Sequence, residues 1–189
     1  MEEYTTYNLN WLLNKVKKKE SVKYLFFWGH APLKDGSVTK SCFSQWWHSA
    51  FTVDGVRYAT AEHWMMAKKA ELFGDNEMIE KILLAKSPAE AKKMGRKVKN
   101  FDPKVWGENC FDIVCEGNYH KFSQHADLKE FLQNTKDRVL VEASPVDNIW
   151  GIGMAQDNDH AENPRLWKGS NLLGFALMEV RDKLRNNDK

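Results

Sequence analysis

The sequence contains several carboxylates and eight tryptophans, and these are the residue types that could carry out catalysis. The candidates are Glu62, Glu142 and Asp147, and the third stands three residues before Trp150. An ionised carboxylate can stabilise an oxocarbenium-like centre or activate water, while an aromatic face holds a base or another flat ring. The combination favours cleavage of a glycosidic bond, and we take Glu62 and Asp147 as catalytic candidates.

Glu62 is predicted to lie in the first turn of a helix. Thr60 is a favourable N-cap because its hydroxyl can accept a bond from an unpaired amide of that turn, so the helix should begin at Ala61. A carboxylate in this position can simply complement the helix dipole. The apolar residues that follow cover most of the helix circumference, however, which predicts a largely buried helix whose few charges need a reason.

Lys69 follows Glu62 by two helical turns, about 10.5 Å of axial rise. Helical side chains lean towards the N-terminus, so the two residues are placed to bracket a sugar-sized group. One reading makes Lys69 a catalytic nucleophile towards an opened sugar aldehyde, if desolvation depresses its pKa. The other, which we favour, makes it a structural or phosphate-binding lysine.

Histidines and cysteines show no metal-binding pattern. The six histidines lack an H-E-x-x-H motif, and the three cysteines form no C-x-x-C pair. We therefore expect no metal, no other cofactor and no disulfide. Free thiols, an acidic start and the absence of a long apolar run predict a cytoplasmic protein without a membrane segment.

Short strands and several helices must position these residues. A buried strand should end at Trp28–Gly29, and Asp54–Gly55 indicates a β-hairpin. Two glycine-tryptophan clusters, around 147–153 and 167–171, are typical of binding loops or of tight turns. Helices are predicted over 8–19, 61–73, 75–85, 88–97, 103–122, 127–133 and 172–184, with a strand at 138–143.

Length and charge fit one domain with a single core. The chain has 189 residues and a formal net charge of +2, which gives no electrostatic footprint of an obligate nucleic-acid binder. We expect a monomer. A basic run at Lys15–Lys19 leaves open a contact with DNA phosphates, although solvated lysines at a helix end explain it equally well.

Ordered motifs along the chain resemble one known family, the NADAR or YbiA-like family, over about residues 22 to 184. These motifs are Phe26–Gly29, Val53–Gly55, Thr60–Ala70, Ser87–Pro88, Met94–Arg96, Lys121–Phe122, Leu140–Pro145, Asp147, Trp150–Gly153 and Asn171–Gly174. We accordingly divide the chain into an N-terminal helical extension, residues 1–20, and a NADAR/YbiA-like domain, residues 21–189.

The resemblance implies a fold and an activity. The fold would be mainly α, a compact single-domain YbiA-like fold with a few short strands and a β-hairpin. The activity would be N-glycosidic hydrolysis of a phosphoribosylated intermediate of riboflavin synthesis, or of ADP-ribose attached to guanine in DNA. At Ile152, this chain departs from the riboflavin-pathway member, which has an acidic residue there.

The resemblance also assigns site residues. Glu62, Trp106 and Trp150 match functional positions, and Lys69, Arg96, Asp147 and Asn171 match motif positions. We expect the substrate to lie among the tryptophans, with Arg96 or Lys69 on phosphate. The expected substrate-binding residues are Phe27, Trp28, Gly29, Arg96, Trp106, Trp150, Gly151 and Asn171. The alternative is a non-catalytic module that binds ADP-ribose or a nucleotide through the same residues.

Overall fold

A computed structural model describes residues 6–187. The chain forms two compact units, one of Met1–Ser44 with Asp127–Lys189 and the other of Gln45–Ala126. We call them the first unit and the second unit. Helices dominate and the strands are few and short, so the predicted mainly α class with a β-hairpin is confirmed.

The first unit carries a two-stranded parallel sheet and a long C-terminal helix. Strand β1 (Tyr24–Phe27) pairs with β4 (Val139–Glu142), and Phe27 lies opposite Glu142. The helices of this part are α1 (Leu9–Lys17), α6 (Ala126–Gln133) and α7 (Leu172–Asn187), with 3-10 turns at Lys40–Phe43 and Pro164–Leu166. Because parallel strands end at the same edge, the chain that leaves β1 lies beside the chain that leaves β4.

Helix α7 packs closely on β4. A Cβ added at Gly174 would lie 2.1 Å from the carbonyl oxygen of Leu140, so only glycine allows this approach. Phe175 and Leu177 on the same helix are fully buried.

The second unit is a hairpin followed by four helices. Strands β2 (Phe51–Val53) and β3 (Val56–Tyr58) pair antiparallel and lead into α2 (Ala61–Leu72). Helices α3 (Asn76–Leu83), α4 (Pro88–Gly95) and α5 (Pro103–Ser123) pack around α2. Eight of the twelve residues of α2 are buried, as the apolar circumference predicted.

Two glycines let neighbouring helices approach α2. A Cβ at Gly95 of α4 would meet Met66 Sδ at 2.0 Å, and one at Gly117 of α5 would meet Trp64 Cδ1 at 2.3 Å. No helix of the described residues is long and apolar enough to span a bilayer.

The capping signals located the helix starts. Thr60, Ser87 and Asp102 each accept a hydrogen bond from a main-chain amide in the first turn of the helix that they precede. The first predicted helix ends earlier than expected, at Lys17. The sequence did not predict the β1–β4 pairing or the two 3-10 turns.

Candidate active site

Glu62 lies in the first turn of α2 and is nearly sealed from solvent. Its side chain is 4 % exposed, in a turn whose N-cap, Thr60, is completely buried. The N-terminus of a helix carries partial positive charge, which stabilises a nearby negative charge, whereas burial acts against it. A carboxylate in such a turn is suited to stabilising a cationic sugar centre.

A buried polar network holds the main chain at Glu62. Its N–H donates to the carbonyl oxygen of Gln45 at 3.0 Å. Asn118 Nδ2 on α5 donates to the side-chain Oε1 of Gln45 at 2.8 Å and to the carbonyl oxygen of Val114 at 2.9 Å. The segment before the hairpin and α5 together fix the start of α2.

His63 is buried beside Glu62 and is held in one tautomer. Its Nε2 lies 3.1 Å from the carbonyl oxygen of Ala85, which can only accept, so Nε2 carries the proton. Nδ1 then accepts from the hydroxyl of Thr60 at 2.8 Å. Burial lowers the pKa of His63, which keeps the ring neutral and its two bonds intact.

Lys69 sits on an aromatic platform. Its Nζ lies 4.0 Å from the ring centroid of Phe101 and 5.6 Å from that of Trp106. Burial lowers its pKa, and no acceptor within residues 6–187 hydrogen-bonds the ammonium group. Asp102, the N-cap of α5, orders the turn that carries Trp106. Phe101 is half-exposed, and sequence reasoning missed it because it stands outside any periodic pattern.

A second lysine-aromatic pair was also missed. Lys92 Nζ on α4 lies 5.9 Å from the ring centroid of Trp46, the residue that follows Gln45. This contact joins α4 to the segment of Gln45 and Trp46, whose main chain holds Glu62. Arg96, predicted on substrate phosphate, is exposed at the end of α4. Its predicted role stays a prediction.

In the first unit, Trp28 and Gly29 follow β1 at the carboxyl edge of the parallel sheet. Trp28 is 58 % exposed, while Phe27 is buried and packs edge-on against Phe43 at 5.4 Å. Gly29 has a φ of +80°, a conformation that favours glycine. The ring of Trp28 is thus exposed and that of Phe27 packs in the core. The substrate contacts predicted for Phe27, Trp28 and Gly29 stay predictions.

The loop after β4 is ordered by Asp147. Its Oδ1 accepts from the N–H of Ile149 at 2.9 Å and of Trp150 at 2.8 Å. This carboxylate therefore shapes the turn that presents Trp150, which is half-buried. A catalytic role for Asp147 stays a prediction.

The two glycine-tryptophan clusters pack against each other. A Cβ at Gly169 would lie 2.3 Å from the carbonyl oxygen of Gly151, and the N–H of Asn171 donates to that same oxygen at 3.0 Å. Asn171 is fully buried, with Oδ1 accepting from Glu142 N–H and Nδ2 donating to Leu140 O, both at 2.9 Å. It positions the Trp150 loop on β4, and its predicted contact with substrate stays a prediction. Ile152 lies in the core.

Within residues 6–187, no three His, Cys, Asp or Glu side chains cluster in a way that could hold a metal ion. The expectation of a metal-free site stays a prediction.

Known proteins share this arrangement of sequence and fold. The sequence model of the NADAR domain family matches residues 26–185, which include residues of both units. The chain belongs to the NADAR domain family. An N-glycosidase of Acanthamoeba polyphaga mimivirus is 41 % identical over 169 residues, covering 87 % of this chain and 98 % of the relative. The N-glycosidase YbiA of Escherichia coli is 34 % identical over 144 residues, covering 76 % and 79 %.

A solved structure of a NADAR relative supports the fold. The NMR structure of Escherichia coli YbiA superposes with a TM-score of 0.70 at 30 % identity, covering 88 % of this chain and 87 % of that one. Because several NADAR relatives are named N-glycosidases, the chain is a hydrolase that acts on N-glycosyl compounds.

Proposed function

We propose that this enzyme hydrolyses the N-glycosidic bond between a nitrogenous base and a phosphoribose or ADP-ribose group, with Glu62 as the principal catalytic residue. The observation that carries the proposal is a carboxylate 4 % exposed at the N-terminus of a buried helix. A charged residue is seldom placed so deeply in a fold unless it is paired or has a function.

Glu62 has the chemistry that the reaction requires. As the base departs, positive charge develops on the anomeric carbon and ring oxygen of the ribose. A carboxylate stabilises this charge, and it can also remove a proton from the attacking water. Water adds to the anomeric carbon, the carbon–nitrogen bond breaks, and the leaving base takes a proton on nitrogen.

The aromatic platform under Lys69 supports a phosphorylated substrate. The ammonium group contacts the rings of Phe101 and Trp106, without a carboxylate neighbour among the described residues. A phosphate can therefore bind it without displacing an internal ion pair. In our proposal Lys69 binds phosphate and Trp106 supplies a face for the substrate, while Arg96 adds a second cation.

The substrate class has two candidates. A phosphoribosylated pyrimidine of riboflavin synthesis needs one phosphate contact, whereas ADP-ribosylated guanine in DNA also calls for contact with a polyanion. Lys17, Lys18 and Lys19 are exposed at the end of α1 and could meet that polyanion. We propose a small-molecule substrate and a monomeric enzyme, because the balanced charge of +2 gives little general attraction to nucleic acid.

Incubation of the enzyme with ribosylated pyrimidine phosphates and with ADP-ribosylated DNA tests this proposal. Chromatography would follow the released base and free ADP-ribose. We expect release of base from the phosphorylated pyrimidine. Cleavage of only the DNA substrate, with activity that falls steeply as salt is added, would instead identify ADP-ribosylated DNA as the substrate.

The matched variants are Glu62→Gln and Glu71→Gln on the same helix. Glu71 is exposed and pairs with Lys68 at 2.6 Å, so its loss should leave turnover unchanged. Glu62→Gln keeps the shape, removes the charge and should reduce kcat by roughly 10²–10³-fold. Turnover near the wild-type rate in a folded Glu62→Gln variant would refute the role of Glu62.

A further inference from the structure

The first unit contains a cavity of about 890 Å³ that none of the residues discussed above for N-glycosidic cleavage lines. Its walls come from α1 and the segments on either side of it, from the end of α6 and the residues that follow, from the start of β4 and from the last turns of α7. We propose that this cavity binds a mononucleotide, with its phosphate on the arginines of α7 and its base on Trp11. We call it the α1–α7 cavity.

Arg181 is the first observation that points to an anion. Its side chain is 2 % exposed and its Nη1 donates to Thr135 Oγ1 at 3.0 Å and to Arg138 O at 2.8 Å. Its Nε is buried without a hydrogen-bond partner, and Asp182 Oδ1 is 3.6 Å away. Asp182 meets this buried edge as an ion pair without a hydrogen bond, so a ligand anion that supplies the bond would stabilise the guanidinium further.

The other charges around the cavity favour the same ligand. Four cationic side chains line it against two carboxylates. One of these carboxylates, Asp182, already accepts a bond from the Tyr7 hydroxyl and pairs with Arg185 at 3.6 Å. Lys23 is exposed, and no carboxylate in the described part of the chain pairs with it. Lys15 is paired with Glu20 at 2.5 Å, and Arg185 also with Asp137 at 3.6 Å. Among the described side chains of the cavity, Lys23 therefore supplies the unpaired positive charge that attracts an anion.

An aromatic wall gives the ligand its second feature. Trp11 is half-buried and Tyr7 packs edge-on against it, with ring centroids 4.8 Å apart at 84°. Lys15 Nζ lies over the indole, 5.4 Å from the ring centroid, and a nucleobase that displaces this lysine can stack on the ring. The cavity volume falls in the range of small-molecule sites, roughly 300–1,000 Å³. A phosphate joined to a planar base can contact the cationic side chains and Trp11 at the same time.

Helix α1 lies outside the residues that match the NADAR domain, which begin at Phe26. The α1–α7 cavity therefore combines this added helix with the last helix of the family domain. Binding there does not depend on the proposed role of Glu62.

Titration of the full-length protein with AMP at low ionic strength tests the proposal by calorimetry. Adenosine and inorganic phosphate are the partial ligands, and each should bind more weakly than AMP. Lys23→Glu should weaken AMP binding about tenfold. Lys17→Glu is the matched control, since Lys17 is an exposed lysine at the end of α1 that does not line the cavity. It should leave the affinity unchanged.

Two further variants separate this cavity from the catalytic site. Trp11→Ala should reduce AMP binding in this cavity to the level of inorganic phosphate, whereas Trp106→Ala should affect only AMP bound at the proposed catalytic site. If AMP does not bind the wild-type protein, or if Trp106→Ala abolishes binding while Trp11→Ala does not, the proposal is wrong.

Discussion

The main-chain N–H of Glu62 donates a hydrogen bond of 3.0 Å to the carbonyl oxygen of Gln45. Gln45 is buried, and its side chain accepts from Asn118 on α5 at 2.8 Å. The turn that carries the proposed catalytic carboxylate is therefore fixed by two segments distant in sequence. Polar networks of this kind rigidify a site because each member has few alternative partners.

Replacing Asn118 with leucine should lower kcat more than it changes KM. The substitution keeps the branched shape and the number of side-chain heavy atoms but removes the donor to Gln45, so the segment that holds Glu62 loosens. Asn118 Oδ1 is itself buried without a hydrogen bond, and its loss offsets part of the effect, which leaves a destabilisation of about 1 kcal/mol. Urea unfolding and steady-state kinetics would measure the two effects. An unchanged kcat would show that the network serves stability alone.

Replacing Lys69 with methionine should raise KM for a phosphorylated substrate about tenfold or more and leave its dephosphorylated counterpart unaffected. Methionine preserves the contact with Phe101 and Trp106 but not the charge. Lys68→Met is the control, because Lys68 pairs with exposed Glu71. A collapse of kcat on both substrates would instead support the nucleophilic role of Lys69.

The same lysine predicts a pH dependence. Burial lowers its pKa from the usual 10.5, so the ammonium is lost at a lower pH than for a solvated lysine. Binding of the substrate phosphate should therefore weaken as the pH rises towards the lowered pKa of Lys69. Lys69→Met should remove this loss of binding at alkaline pH. A loss that stays unchanged in the variant would assign it to another group.

Gly174→Ala should destabilise the first unit. The new methyl group would meet the carbonyl oxygen of Leu140 at 2.1 Å, and a main-chain atom of β4 cannot move aside as a flexible side chain can. We expect a loss of roughly 1–3 kcal/mol in the free energy of unfolding. Gly107→Ala is the control. A Cβ added at Gly107 would meet no other part of the protein within 4 Å, so alanine should raise the free energy of unfolding by up to about 1 kcal/mol.

Local signals carried most of the fold prediction. Thr60, Ser87 and Asp102 mark their helices because capping depends on neighbours three residues apart. Asp54–Gly55 marks the hairpin for the same reason, and the structure gives positive φ at both positions. The parallel pairing of β1 with β4 joins residues more than 100 positions apart, and no local pattern encodes such a partner.

The candidate site was predicted less completely. Glu62 stood out because a charge interrupts an apolar helix, and its burial agrees with that reasoning. Phe101 and Trp46 were missed, since each gains its meaning only from a lysine elsewhere in the chain. Asp147 was predicted to be catalytic and Asn171 to bind substrate. The contacts that the structure shows are with main-chain groups, of the Trp150 loop for Asp147 and of β4 for Asn171.

His63 should make the stability of the protein depend on pH. Its ring is buried between Thr60 and Ala85, and burial lowers its pKa below the usual 6.5. In the unfolded chain the same residue takes up a proton near pH 6.5. As the pH falls below that value the unfolded state binds more protons than the folded state, so the free energy of unfolding decreases; above it this contribution is fully present. The slope has an upper limit of about 1.4 kcal/mol per pH unit for one proton.

Urea unfolding from about pH 8 to about pH 5.5 would measure this contribution. His63→Gln should be less stable than wild type at high pH because it loses the fitted ring, and its stability should fall less on acidification. His160→Gln, at an exposed position, should keep the wild-type slope. If stability changed with pH in the same way for wild type and His63→Gln, His63 would be as easily protonated in the folded protein as in the unfolded chain. The prediction would then be wrong, despite the hydrogen bonds of His63 to Thr60 and Ala85.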